Sequence, residues 1–303
     1  MAQERVIVFG GSGFVGSHTA DKLTEKGYDV TIFDKVESPY LKPEQKMIIG
    51  SFEDKDLVFD SVKDKDYVYN FAAIADIGEA MRNPVGTVKV NIYGNVLLLE
   101  ASRQFGVKRY IFASTVYVYG KSGGFYRVSK QACEEYIDTY NKYYNVDYTV
   151  LRYGTLYGLR AGDTNSVKRF LKEALKDREI KYRGDGTETR EYINIEDAAR
   201  LSVDILDEEY KNQHVVLVGH NPMKVKELLS MIREILGNKI KVTYRGEPMD
   251  DTHYKITPHT FNPKTAHKLV SNYYIDMGQG LLNCIHEIYS ELKKEGLDID
   301  YLD

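Results

Sequence analysis

The chain has 303 residues and a formal charge of −4, with a pI near 6.0. That length suits one large domain or two, and an acidic balance gives no reason to expect nucleic-acid binding. No apolar run approaches the ~20 residues of a membrane span, and residues 1–5 (MAQER) read as a lead into a strand rather than a signal peptide. The two cysteines, Cys133 and Cys284, lack metal or redox spacing, so the expected compartment is a reducing cytoplasm.

The first element is the β-rich run Arg5 to Phe9. Gly10 to Gly16 (GGSGFVG) follows at once, reading as G-x-G-x-x-G from Gly11 and as G-x-x-G-x-x-G from Gly10. A helical pattern from His18 to Lys26 closes at Gly27, and a second strand, 29–33, ends in Asp34. Strand, glycine turn, helix, strand, acid is the full dinucleotide-binding context. The glycines, with Phe14 and Val15 opening the helix, let backbone N–H groups meet a pyrophosphate at the helix N-terminus. Asp34 is placed to bind ribose hydroxyls. Its charge would repel a 2′-phosphate, so the expected cofactor is NAD rather than NADP, a preference that Lys35 weakens slightly.

Further strands are expected near 46–49, 66–71, 108–112 and 147–151, with helices at 85–105 and 126–144. Alternating strands and helices imply a Rossmann-type α/β fold with a doubly wound parallel sheet. Between the fifth and sixth of these strands lies the densest chemistry. Thr115 is followed by Tyr126 and Lys130, a Tyr-x-x-x-Lys spacing that puts phenol and ammonium on one helix face. For base action near neutrality a tyrosine's pKa would have to fall by roughly 3, worth about 4 kcal/mol, and a fixed cation is a direct means. The Thr115 hydroxyl can hold a substrate oxygen beside the phenol. Such a trio suits proton removal from an alcohol as hydride leaves the same carbon. After Tyr153 the pattern becomes irregular, with a further strand at 215–218.

In this order the motifs resemble those of the extended short-chain dehydrogenase/reductases, specifically nucleotide-sugar epimerases and dehydratases. Residues 70–73 (NFAA), 90–95 (VNIYGN), 113–120 (ASTVYVYG), 151–158 (LRYGTLYG), 184–186 (GDG) and 190–197 (REYINIED) each match a family segment. The resemblance implies an NAD-binding domain over 1–154, rejoined by 191–218. It implies a smaller nucleotide-sugar-binding lobe from 155–190 and 219–303. By the same resemblance Ser51, Phe52, Ala72, Ala73, Asn91, Ser114 and Tyr153 join Gly10, Gly13, Phe14, Val15, Gly16 and Asp34 around NAD, with Tyr126 and Lys130. Asp54 lies in a segment like the adenine-side G-D-x-x-D, with Ser51 replacing the first acid. Thr115, Thr155, Arg190 and Arg245 are expected to contact a nucleotide-diphosphate sugar, arginine suiting a diphosphate.

The implied activity is epimerisation. Tyr126, lowered in pKa by Lys130 and assisted by Thr115, takes the C4 hydroxyl proton; a 4-keto sugar forms, and hydride returns to its other face. Departures from the family narrow this. Dehydratases carry an Asp-Glu pair after the active-site threonine, and here those places hold Val116 and Tyr117, which argues against dehydration. Residues 121–125 (KSGGF) replace a much longer segment bordering the sugar, implying a more open pocket for a bulkier sugar such as a heptose. Thr155 replaces a substrate-contacting asparagine, and Gly154 a bulky neighbour of the nicotinamide. Two other readings stay open: a 4-dehydrogenase, for example on a heptose, whose NADH a second substrate recycles, and a non-catalytic NAD-binding regulator. Relatives pair through helices matching 85–105 and 126–144, so a homodimer is expected. The helically spaced Tyr136, Tyr140, Tyr143 and Tyr144 read as core or dimer packing. His253, His259 and His267 lack tight ligand spacing, and no metal is expected.

Overall fold

The computed structural model describes residues 3–247, 253–258 and 266–297; His259 lies outside these. In chain order the elements begin with β1 (Arg5–Phe9), α1 (Phe14–Glu25), β2 (Asp29–Asp34), β3 (Lys46–Ile49), α2 (Lys55–Val62), β4 (Tyr67–Asn70), α3 (Ile77–Arg82) and α4 (Pro84–Thr87). A π-helical turn, Val88–Tyr93, leads into α5 (Gly94–Phe105), followed by β5 (Arg109–Thr115), a 3₁₀ turn (Val116–Tyr119), α6 (Gly124–Tyr144) and β6 (Tyr148–Tyr153). Then come β7 (Thr155–Tyr157), α7 (Ser166–Asp177), β8 (Glu179–Tyr182), β9 (Thr189–Arg190), β10 (Tyr192–Asn194), α8 (Ile195–Asp204) and β11 (Gln213–Leu217). The last are β12 (Met223–Lys224), α9 (Val225–Ile235), β13 (Lys241–Tyr244), β14 (His267–Lys268) and α10 (Met277–Lys294).

The described residues divide into two compact units. The first draws on Met1–Tyr153, Ala198–Leu217 and Pro258–Leu269; the second on Gly154–Asp197, Val218–Thr257 and Val270–Asp303. Residues 191–197, expected with the nucleotide-binding part, thus fall in the second unit, and the stretch from Pro258 in the first.

The first unit is built on an eight-stranded sheet in the order β14-β11-β6-β5-β4-β1-β2-β3, with every pairing parallel. Parallel strands are covered on both faces, so they read as continuous apolar runs. Val6, Ile7, Val8 and Phe9 of β1 are all fully buried. Ile7 and Phe9 pack with Val68, Leu98, Phe112, Ile137 and Val150 in one core. Strand order reverses between β1 and β4, and in such sheets ligands sit beyond the carboxyl ends of the strands at that point.

The second unit holds three two-stranded pairs, β10 with β7, β12 with β9 and β13 with β8. Its core gathers Phe170 and Leu171 of α7, Leu229 and Ile232 of α9, and Ile285 and Ile288 of α10. Side-chain caps start two of these helices: Asn165 accepts from Val167 N and Lys168 N, and Asp276 from Gly278 N and Gln279 N.

Candidate active site

The glycine turn lies at the switch point. Gly10, at φ +76°, donates its N–H to Phe33 O at 2.9 Å, and a Cβ there would lie 2.6 Å from Ala72 N. Only glycine takes this backbone conformation without strain while letting β1's end approach the segment after β4. Gly13 N donates to Gly10 O at 3.1 Å, and a Cβ on Gly16 would run into the Gly10 carbonyl. The turn is therefore closed tightly enough to bring α1's first N–H groups forward, with Phe14 and Val15 in its opening turn. Asp34 stands at the end of β2, its carboxylate accepting from Ser12 N at 3.0 Å and from its neighbour Lys35 N at 2.7 Å. A cradle that a side chain would fill, facing a carboxylate at the next strand's end, fits a dinucleotide whose ribose hydroxyls meet Asp34.

In the segment after β3 the side chains meet protein groups. Asp54 caps α2, accepting from Leu57 N at 3.0 Å, and Ser51 Oγ accepts from Glu53 N. Phe52 turns its ring inward, 6.0 Å from the Phe9 ring and against Gly94. Asn91, in the π turn, is engaged with protein: its Oδ1 accepts from Ile74 N at 2.8 Å, and its Nδ2 donates to Ile74 O and to Ser129 Oγ. Ser129 in turn donates to Tyr126 O at 2.8 Å, so Asn91 braces the backbone that carries the phenol. Ser114 Oγ donates to Glu134 at 2.6 Å, and Tyr153 OH meets Ser202 Oγ at 2.6 Å. Ala72 and Ala73 follow β4, and Ala72 lies beside Gly10.

Thr115, Tyr126 and Lys130 are brought together. β5 ends at Thr115, whose hydroxyl caps the 3₁₀ turn by accepting from Tyr117 N at 3.3 Å and hydrogen-bonds the Tyr126 phenol. The short 121–125 segment delivers α6 directly: Gly123 at φ +99° and Gly124 at φ +47° make the turn, packed against the Tyr117 ring and the Met81 sulfur. Tyr126 therefore sits in the first turn of α6, edge-on to Tyr117 at 6.4 Å between ring centroids.

Lys130 is buried at 3 % exposure. Its Nζ donates to Ala113 O at 2.6 Å, 4.5 Å above the Phe112 ring and 6.0 Å from the Tyr126 ring centroid. The expected lowering of the phenol's pKa is not found. Burial pushes Tyr126 up to about 12, opposed by the Thr115 hydrogen bond, while burial brings Lys130 down to about 8. The cause is the same for both: desolvation disfavours the charged form of each group.

In the second unit Thr155 and Arg190 are joined by a residue that sequence reasoning missed. Thr155 Oγ1 lies 3.3 Å from Tyr254 OH, and the Arg190 guanidinium lies 4.4 Å from the Tyr254 ring centroid. Arg245 belongs to another strand pair; it follows β13 and its guanidinium lies 3.6 Å from Glu247. Among the described residues no cluster of His, Cys, Asp and Glu could hold a metal, and no helix is long and apolar enough to cross a membrane.

A family model, NAD dependent epimerase/dehydratase family, matches residues 6–219, from β1 to just past β11. The chain belongs to this family. It is accordingly an NAD-dependent enzyme, as its glycine turn and Asp34 led one to expect. It is 29% identical over 302 residues to a putative UDP-glucose 4-epimerase of Methanocaldococcus jannaschii, covering 93% of this chain and 97% of that protein. It is 28% identical to a UDP-glucuronate 4-epimerase of Thermodesulfobacterium geofontis, over 78% of this chain and 82% of the other. Among solved structures it is similar to the UDP-glucose 4-epimerase of Thermotoga maritima with UDP-glucose, at a TM-score of 0.82 and 26% identity, covering 95% of this chain and 99% of that one.

Proposed function

We propose that this family member is a nucleotide-sugar 4-epimerase whose substrate is a UDP-linked sugar. The observation that carries this reading is the Thr115–Tyr126–Lys130 trio at the end of β5, in the same unit as the glycine turn and Asp34. The names of the relatives supply the sugar position and the UDP moiety. Gly10, Gly13, Gly16 and Asp34 would hold NAD, which supplies the hydride acceptor and donor when bound.

The chain's own residues supply the proton chemistry. Thr115, fixed by the Tyr117 N–H, orients the sugar hydroxyl, and Tyr126 takes its proton. A phenol near 12 is a poor base at neutrality, so the phenolate needs nearby positive charge, which Lys130 supplies when protonated. Val116, fully buried, cannot transfer a proton, and no acid–base pair follows Thr115. Oxidation and re-reduction at one carbon therefore fit these residues better than loss of water. Arg190, held by Tyr254, offers planar donors to the diphosphate, with Thr155 beside it. The exposed rings of Tyr136, Tyr143 and Tyr144 along α6 support pairing of two copies through this helix and α5. A cytoplasmic location goes with this reading and its soluble substrate.

The test is a single-turnover assay with UDP-linked hexoses, hexuronates and heptoses, following nicotinamide absorbance and identifying the sugar by NMR. An inverted C4 centre without lasting NADH is expected. Stable NADH with a 4-keto sugar would replace this reading by the dehydrogenase one. Tyr126→Phe is expected to abolish turnover while leaving NAD binding intact.

A further inference from the structure

The stripe that carries Tyr126 and Lys130 continues beyond the lysine. At the same four-residue interval along α6 come Glu134 and Asp138, so four polar side chains share one helix face. The first three of them hold three successive residues of β5. Tyr126 bonds the Thr115 hydroxyl, Lys130 the Ala113 carbonyl and Glu134 the Ser114 hydroxyl. Ser114 thus lies between the two β5 residues that contact the phenol and the ammonium.

Glu134 is buried and fully engaged. Its Oε1 accepts from Ser114 Oγ at 2.6 Å and from Arg152 Nε at 3.0 Å, while its Oε2 accepts from Arg152 Nη2 at 2.8 Å. Arg152 lies directly opposite Ser114 in the β5–β6 ladder, and its Nη1 donates to Tyr119 OH at 2.8 Å. Beyond it, Arg152 Nη2 lies 2.9 Å from His214 Nδ1, and His214 Nε2 lies 3.1 Å from Asp138. A buried carboxylate and guanidinium add little net stability compared with an apolar pair of the same shape. A structural role alone does not explain why the charge stands one helical turn from Lys130.

We propose that Glu134 is a positioning residue for proton transfer: it clamps α6 to β5 between the two catalytic contacts and holds a negative charge beside Lys130. This rests on the roles given to Tyr126 and Lys130 above. The groups facing Glu134 are Arg152 and Tyr148 from β6, Tyr119 from the 3₁₀ turn, His214 from β11, and Lys130, Cys133 and Asp138 from α6. Burial raises Tyr119, Tyr148 and the Cys133 thiol, so these stay neutral around neutral pH. Histidine is the side chain whose ordinary titration is nearest neutrality, so His214→Gln serves as the control for the limb's origin.

The experiment compares Glu134→Gln, Glu134→Asp, Ser114→Ala and His214→Gln with wild type. Readouts are the pH profile of kcat, the pH dependence of equilibrium NAD binding, and Tm. Removing an anion beside a buried ammonium lowers the ammonium's pKa. In Glu134→Gln the alkaline limb of both profiles should move down by about one pH unit, with kcat about twofold lower near neutral pH, about tenfold lower well above the wild-type limb, and KM little changed. Glu134→Asp should restore the limb, and His214→Gln should leave it in place. A Glu134→Gln enzyme that loses Tm but keeps its limb overturns the proposal, as does a limb that moves equally in His214→Gln. Should Glu134→Gln fail to fold, Ser114→Ala decides: lower kcat with an unmoved limb supports the clamp, and unchanged kcat refutes it. The underlying reading fails separately, if Lys130→Met or Tyr126→Phe turns over normally.

Discussion

Replacing Lys130 by methionine should remove a burden on folding while destroying activity. Burial takes the ammonium from 10.5 to about 8, and at ~1.4 kcal/mol per pH unit this is a penalty of about 3 kcal/mol for folding with the charge at neutral pH. Methionine follows the same buried path but gives up the bond to Ala113 O, worth ~1 kcal/mol, and the cation over the Phe112 ring, worth another ~1 kcal/mol. The variant should therefore be more stable than wild type by about 1 kcal/mol at neutral pH. Between about 8 and 10.5 the unfolded chain holds this proton and the folded chain has lost it. Wild-type stability therefore gains with rising pH in that window, and the variant lacks the gain. By about pH 9.5 wild type should have recovered ~2 kcal/mol, and the order of stability should reverse. Urea unfolding of both proteins without cofactor, at neutral pH and near pH 9.5, measures this. A gap that stays constant or widens in the variant's favour would refute the assignment of a buried, depressed ammonium.

Gly16→Ala places a methyl group into the Gly10 carbonyl; it should lower stability by ~1–3 kcal/mol and weaken NAD binding at least ~10-fold by calorimetry. Asp34→Asn removes the carboxylate that would oppose a 2′-phosphate, so the NAD-to-NADP affinity ratio should fall by roughly tenfold; an unchanged ratio would disprove that role. Arg152→Met leaves Glu134 buried without its cation and should cost about 3–5 kcal/mol in urea unfolding, most of it regained when Glu134→Met is added. Tyr254→Ala removes the ring stacked on Arg190; KM for the UDP-sugar should rise about 3- to 10-fold with kcat preserved.

Strands buried on both faces were legible because they leave continuous apolar runs, as in residues 6–9, and the glycine turn because nothing else permits that close approach. The phenol–ammonium pair was legible from its helical interval. What the ammonium points to was not, since a carbonyl acceptor such as Ala113 O carries no side-chain signature. Glu134 stands beside Glu135 in sequence, and only the four-residue rhythm from Tyr126 separates the buried acid from the exposed one. Tyr254 was hidden among 25 tyrosines, and its pairing with Arg190 spans 64 positions that no local pattern links. Ser114, Asn91 and Phe52 sit within recognisable motifs, yet their side chains are spent on protein contacts that only packing discloses.

A π turn is an α-helix carrying one extra residue, so Val88–Tyr93 can be regarded as an insertion frozen into the stretch between α4 and α5. Deleting one of its residues would restore ordinary helical phase and swing everything on one side of the cut by roughly 100° about the axis. Leu97, Leu98 and Leu99 are locked in the core, so the preceding residues would have to rotate. Asn91 would then lose Ile74 and Ser129 together. Loss of a residue far along the chain from Tyr126 would thus loosen the phenol's own backbone, making this segment intolerant of length change even where its individual side chains are exposed.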